Sequence, residues 1–368
     1  MKETLSVTRC RKILEKHFSL ITRKKTANQR KGTLTMAKLR FGLVGCGQIA
    51  KCNHAPEMAK LPRSKAEITA LYDIKRGKAE QFAKEKNLNA KICRSYEELL
   101  ASDIDCVIIA TPNCFHFPQT MDALKAGKHV LVEKPMASRV EDADKMIRLS
   151  LEKNLVLQVN QSLRFSPLYA EMSRRIAEGA IGKPMHIRCI RAATSSPEVG
   201  WSPGAVWFVK KKYEGSLVTD IAVHMADFLQ WSFGPVKKIQ AVTRCLSHEV
   251  PDNVSAVFDF ANGATGVLEL SWTFPMGEGA IAAYGDKGTL KTTPDGFEII
   301  PADKKKKTVS VKADKIKSLP DSHAVFVKRI AEGCTDAWDV GRSALALCVA
   351  INESSRTGKA VAPKNRKK

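Results

Sequence analysis

The chain has 368 residues, 44% apolar and 27% charged, which suits an ordinary globular protein with room for about two domains. No apolar run of about 18 residues occurs, so no transmembrane helix is expected. Ten scattered cysteines form no Cys-x-x-Cys pair or zinc-spaced cluster, which points to reduced thiols, a cytoplasmic setting and no metal site.

The net charge of +22 is spread in a way that argues against a nucleic-acid groove. Residues 1–35 hold ten Lys/Arg against two Glu. Lys304 to Lys307 form a second basic run, and Lys364, Arg366, Lys367 and Lys368 a third. Tails and a loop attract polyanions without reading them, so no dedicated nucleic-acid site is expected.

Residues 1–35 read as a basic, disordered extension. They lack the apolar core of a secretory signal, and Glu3 and Glu15 sit poorly with a mitochondrial presequence. Met36-Ala37-Lys38 then leads into an apolar run, Phe41 to Val44, predicted to be a buried strand. Gly45-x-Gly47-x-x-Ala50 follows, with Gln48 and Ile49 between, and a helical pattern continues. This is a dinucleotide fingerprint. Gly45 permits the tight turn, Gly47 lets the backbone approach a pyrophosphate, and Ala50 lets the helix pack closely on the sheet. The helix N-terminus offers N–H groups to the phosphates.

A second strand, Ala66 to Tyr72, ends at Asp73, 23 residues past Ala50. That is where a Rossmann unit holds the carboxylate for the adenosine ribose. The acid favours NAD, with NADP as the alternative because Lys75 and Arg76 follow. Ser95-x-x-Glu98 is a capping box. Cys106–Ala110 reads as a buried strand followed by Thr111-Pro112-Asn113 and His116. His129–Val132 leads to Glu133-Lys134-Pro135, and Leu155–Val159 is a further strand. Strands alternating with helices imply a parallel sheet covered on both faces. Lys134 falls beyond the carboxyl end of its strand, where ligands bind in such sheets.

Beyond residue 160 the pattern changes. A helix is predicted from Pro167 to Glu178 and a strand from Met185 to Ala193. A Gly/Pro/Trp-rich stretch then precedes a helix bearing Asp220, His224 and Asp227. Asp220 and His224, four apart, share a face, and a neutral imidazole there can take a proton from a hydroxyl. Alternating stretches at Ile239–Cys245, Val254–Phe260, Thr265–Trp272 and Ala280–Tyr284 predict an antiparallel sheet. Helices at Ser322–Glu332 and Val340–Arg356 close the chain.

With these motifs assembled, the sequence resembles the Gfo/Idh/MocA oxidoreductase family. The likeness rests on Gly45-x-Gly47-x-x-Ala50, Thr111-Pro112-Asn113 with His116, Glu133-Lys134-Pro135, Arg164-Phe165-x-Pro167 and Asp220-x-x-x-His224-x-x-Asp227. It implies an α/β chain: a Rossmann doubly wound parallel sheet over residues 36–160, then a C-terminal α+β domain over 161–363. That domain's open, mostly antiparallel sheet would carry substrate on one face and a homodimer or homotetramer interface on the other. The last helix would pack back on the Rossmann domain, and 364–368 would be a basic tail. By resemblance Lys134 polarises the substrate oxygen, His224 is the acid/base and Asp220 orients the pair. Gly45, Gly47, Gln48, Ile49, Ala50, Asp73, Thr111, Asn113, His116, Glu133, Lys134 and Arg164 surround the cofactor.

The function expected is NAD-dependent oxidation of a secondary alcohol of a sugar, cyclitol or sugar derivative. One alternative is a glycosidase or epimerase that recycles the cofactor. Another is a non-catalytic dinucleotide sensor on the same fold. The Pro197–Lys212 loop, with Trp201 and Trp207, is expected to border the substrate.

Overall fold

The computed structural model describes residues 38–335 and 339–365; the expected basic extension and most of the basic tail lie outside the described residues. Among the described residues no helix is long and apolar enough to cross a membrane. The chain divides into two compact units, one containing residues 38–161 with Pro320–Arg342, the other Ser162–Leu319 with residues 343–365.

The first unit is built on six strands: β1 (Leu39–Val44), β2 (Ala66–Tyr72), β3 (Lys91–Ile92), β4 (Cys106–Ile109), β5 (His129–Val132) and β6 (Leu157–Val159). Their order is β3-β2-β1-β4-β5-β6 and every pairing is parallel. The reversal of strand order falls between β1 and β4, which opens a crevice at their carboxyl ends. Phe41, Leu43, Val107, Ile108 and Leu131 are fully buried. Each such side chain contributes roughly 1.5–3 kcal/mol by leaving water, which explains strands that read as continuous apolar runs.

Helices cover the sheet: α1 (Ala55–Lys60), α2 (Arg76–Glu85), α3 (Tyr96–Ala101), α4 (His116–Lys125) and α5 (Val140–Glu152). Ser95 caps α3 by accepting from Glu98 N at 3.1 Å, while Glu98 Oε2 accepts from Arg94 N, one residue before the cap, at 2.8 Å, in place of the reciprocal bond of a full capping box. The helix after the glycine turn departs from a simple α-helix. Ala50–His54 is one wide π turn, closed by Ala55 N–H to Ala50 O. Pro56 follows in the first turn of α1; it has no N–H for the carbonyl of Cys52 and crowds it, so the preceding turn widens. A further helix from later in the chain, α8 (Ser322–Ala331), belongs to this unit. Asp321 caps it by accepting from His323 N and Ala324 N at 2.7 and 3.1 Å. Its Phe326 meets Phe41 edge-on at 6.1 Å.

The second unit holds an eight-stranded sheet: β7 (Pro184–Ala192), β8 (Val236–Arg244), β9 (Asn253–Phe260), β10 (Thr265–Ser271), β11 (Glu278–Gly285), β12 (Gly288–Thr293), β13 (Gly296–Pro301) and β14 (Val309–Lys312). The order is β14-β13-β12-β11-β7-β10-β9-β8, antiparallel except for the central β7–β10 pair. Three of these strands, β12 to β14, were not assigned from sequence, because their short Thr-, Lys- and Gly-bearing runs hardly alternate. Register decides them: Leu290 pairs with Ile299 and both are buried.

Cross-strand pairing puts Ile239, Phe258, Gly266, Ile187, Ala283 and Leu290 on one face. That face buries its apolar residues with α6 (Pro167–Ala177) and α7 (Val223–Phe233). The opposite face shows Val242, Val257, Tyr284 and Ile300, all exposed. At the β8 edge, Ser354 and Ser355 of α9 (Val340–Thr357) accept from Ala241 N and Thr243 N at 2.9 and 2.8 Å. These bonds pair N–H groups that an edge would leave open.

Candidate active site

The glycine turn forms the floor of the crevice in the first unit. Gly45 has φ +89°, and a Cβ there would lie 2.5 Å from the Ala110 carbonyl at the end of β4. No other residue fits both constraints. Gly47 is different: a Cβ there meets nothing within 4 Å. Its backbone borders open space at the start of the helix, as a phosphate cradle requires. Ala50 is fully buried.

Asp73 follows β2, and its Oδ2 accepts from Cys46 N in the turn at 2.9 Å while Oδ1 accepts from Lys75 N at 2.9 Å. Burial, with help from Asp73, pushes the Cys46 thiol up to about 12, so this cysteine is an inert small residue. The turn, its open Cα and a carboxylate at the end of β2 fit a dinucleotide.

After β4, Thr111 Oγ1 donates to Gln119 Oε1 at 2.6 Å and Asn113 is buried. The ring of His116 joins two loops: Nδ1 lies 2.7 Å from Pro135 O and Nε2 2.8 Å from Thr111 O. Burial pushes this imidazole below its usual value, against the pull of both carbonyls. Its place is between the loops after β4 and β5, holding the strand ends that face the crevice.

After β5 comes Glu133, buried, then Lys134, half-buried. Glu133 Oε1 accepts from Asn160 Nδ2 at 2.6 Å, and Oε2 accepts from Lys134 N at 3.1 Å. Burial alone would raise this carboxyl; His54, Asn160 and Lys134 outweigh it and hold it at about 2. Asn160 also donates to Asn53 Oδ1 at 3.0 Å. His54, Asn53 and Asn160 were missed in the sequence. Their one signal was the helix period after the fingerprint, which puts His54 one turn past Ala50 on the buried face.

In the second unit, Asp220 lies in a π turn, Val218–Ala222, that runs into α7 bearing His224. Both are half-exposed, between the buried Ala222, Val223, Met225 and Ala226. Arg164 and Asp227 form a bidentate pair, Nε–Oδ2 and Nη2–Oδ1 both 2.8 Å. Both are buried, with the guanidinium 5.1 Å over the Trp231 ring. Asp227 thus holds Arg164, which sequence had set beside the cofactor.

The Trp-bearing loop is held by its own aromatic packing and by polar ties. Trp207 stacks on Phe208 at 3.7 Å and Trp201 meets Phe208 edge-on at 6.0 Å. Ser196 Oγ lies 3.1 Å from His248 Nε2, whose Nδ1 is 3.0 Å from Asp252 Oδ2. Asp252 also accepts from Leu246 N, Ser247 N and His248 N, so this row fixes the β8–β9 loop.

Comparison with known proteins agrees with the fold of both units. A model of the GFO/IDH/MocA oxidoreductases, an NAD-binding Rossmann fold, matches residues 39–161, and the model of their C-terminal domain matches 169–291. A 1,5-anhydro-D-fructose reductase from Ensifer adhaerens is 30% identical over 71% of this chain and 72% of its own length. A scyllo-inositol 2-dehydrogenase (NAD(+)) from Bacillus subtilis is 26% identical over 69% of this chain and 73% of its own. The WlbA dehydrogenase of Bordetella pertussis, solved with NADH and UDP-GlcNAcA, superposes with a TM-score of 0.78 at 28% identity. That likeness covers 91% of this chain and all (100%) of the WlbA chain.

Proposed function

We propose, for a chain that belongs to the GFO/IDH/MocA oxidoreductase family, hydride transfer between nicotinamide and a secondary alcohol of a sugar, cyclitol or sugar derivative. The observation that carries this reading is the convergence of three strand ends at one crevice. The open Gly47 follows β1, Ala110 closes β4, and Lys134 follows β5. The relatives named above, which act on sugar and inositol substrates by name, support the substrate class.

In this reading Gly45 and Gly47 give the pyrophosphate its backbone cradle and Asp73 receives the adenosine ribose. NAD supplies the hydride acceptor. His224 takes the hydroxyl proton, Asp220 orients it, and Lys134 steadies the charge developing on the oxygen. Glu133 braces Lys134 from below through its backbone N–H. A homo-oligomer formed through the sheet face bearing the exposed Val242, Val257, Tyr284 and Ile300 completes the reading.

The test is a panel of sugars and cyclitols with NAD, followed as NADH absorbance and as product. Net NADH with matching ketone confirms a dehydrogenase. Product without NADH overturns net oxidation in favour of a recycling enzyme, and no turnover with tight NAD binding favours a sensor.

A further inference from the structure

Behind Glu133 the first unit contains three titratable groups, His54, His323 and Asp321, that the reaction above does not use. His54, on the wide turn after the fingerprint, is fully buried. Its Nδ1 is 2.8 Å from Nε2 of His323, in the first turn of α8. Its Nε2 faces Glu133 Oε1 at 3.1 Å. At the other end, His323 Nδ1 lies 3.3 Å from Asp321 Oδ1, and the Asp321 side chain is 26% exposed. The four groups form one row from the surface to the end of β5: carboxylate, imidazole, imidazole, carboxylate.

Counting protons shows what the row can do. It has three gaps, and each needs one hydrogen. Two neutral imidazoles bring two. One gap is then left with lone pair facing lone pair, and a third proton is needed to fill all three. His54 Nε2 and His323 Nδ1 are buried and outside hydrogen-bond geometry with any described residue. The central gap is closed and the vacancy sits at the ends. A proton taken from solvent at Asp321 and passed to His323 Nδ1 lets His323 pass its Nε2 proton to His54 Nδ1, while His54 keeps its own proton on Nε2 toward Glu133. One proton enters, three now fill the three gaps, and it leaves by the same route in reverse, with every N–H bond made matched by one broken.

We infer that Asp321, His323, His54 and Glu133 are a proton relay that stores one proton, exchanges it with solvent through Asp321, and so sets the charge facing Lys134. The inference rests on the function proposed above, in which Lys134 works at the substrate oxygen. His54 and His323 are positioning residues that act through Glu133. With the third proton the row carries one net negative charge; without it, two, and Glu133 is the end of the row that meets Lys134 through its backbone N–H.

The surroundings agree. Glu133 is held at about 2, against its burial, by His54, Asn160 and Lys134, so it stays a carboxylate and the extra proton resides on the rings. Burial pushes His323 below its usual value while Asp321 pulls it back, which sets the uptake on the acid side of an ordinary histidine. The other charges and titrating groups facing the row are Glu57 and Lys60 of α1 near Asp321 and His323, with His116 and Cys52 near Glu133.

The experiment is a pH titration of the full chain carrying ¹⁵N-histidine, without added nucleotide, read by NMR, beside the pH profile of turnover. The wild type should show His54 and His323 titrating in one coupled step that takes up one proton. Asp321→Asn keeps a good helix cap but removes the anion, and should move that step down by about one pH unit or more. His323→Gln should remove an acid-side change in turnover while leaving the His224 limb in place, whereas a purely structural role would lower turnover equally at every pH. Two rings titrating independently with two protons, or a step unmoved by Asp321→Asn, overturns the relay. If the coupled step appears but no sugar or cyclitol turns over, the relay stands as a proton store, and the proposed function with its link to Lys134 falls.

Discussion

Asp73 Oδ2 accepts a hydrogen bond from Cys46 N at 2.9 Å, so the carboxylate after β2 also fixes the glycine turn after β1. The same residue therefore shapes the phosphate cradle and presents the charge expected at the adenosine ribose. Asp73→Asn separates these roles, because an amide oxygen still accepts from Cys46 N. NAD affinity should fall by roughly 10–100-fold, the worth of a hydrogen bond to a charged group, while discrimination against NADP collapses. Dissociation constants for both nucleotides at equal salt check this. Unchanged discrimination would remove Asp73 from the ribose.

Two glycines in one turn should behave in opposite ways. Gly45→Ala forces a side chain at φ +89° into the Ala110 carbonyl, so it should destabilise the fold by roughly 1–3 kcal/mol or more. Gly47→Ala meets no atom within 4 Å and should leave the melting temperature in place. It should weaken NAD binding, because its Cβ would enter the space proposed for the phosphates. Thermal melts with and without NAD read both effects.

The acid/base assignment predicts a pH profile. Turnover for oxidation should rise through one ionisation belonging to His224. His224→Asn should erase that limb and reduce turnover by roughly 10²–10⁴-fold. Lys134→Ala should reduce turnover while NAD still binds, since the cradle is elsewhere. Wild-type turnover and an intact limb in His224→Asn would pass the role of base to Lys134.

Glu133 makes stability depend on acid pH. Its carboxyl is held at about 2 in the folded chain against an ordinary 4.5. A depressed carboxylate contributes its full stability above the ordinary value, and that contribution is lost as pH falls from 4.5 towards 2. Melting temperatures should drop across that window in the wild type. Glu133→Gln should be less stable at neutral pH and show a flatter acid limb.

The Arg164–Asp227 pair should be a matter of stability first. Arg164→Ala leaves a buried carboxylate without its guanidinium and should cost about 3–5 kcal/mol in urea unfolding. Replacing both residues, as Arg164→Met with Asp227→Leu, should recover much of the loss. NAD titration of the folded variants shows whether Arg164 also has the cofactor role that its sequence position implied.

Much of this molecule could be read along the chain. The fingerprint from Gly45 to Ala50, the acid after the second strand and the alternation of strand and helix specify a Rossmann sheet through local rules of period and turn chemistry. Ser95 and Glu98 announced their cap three residues apart. The alternation after residue 236 announced an antiparallel sheet. Strands β12 to β14 escaped because their stability comes from pairing with neighbours rather than from their own composition.

The sequence by itself determined which residues could turn tightly, bury a strand or carry a proton, because those properties belong to single residues and their near neighbours. Tertiary structure alone decided partnership. His323 is 269 positions from His54 and Asp227 is 63 from Arg164, and no local period links them. A buried imidazole or carboxylate must find a partner somewhere in the fold, since leaving it unpaired costs more than most side chains contribute. Which partner it finds depends on which helix returns to which strand end.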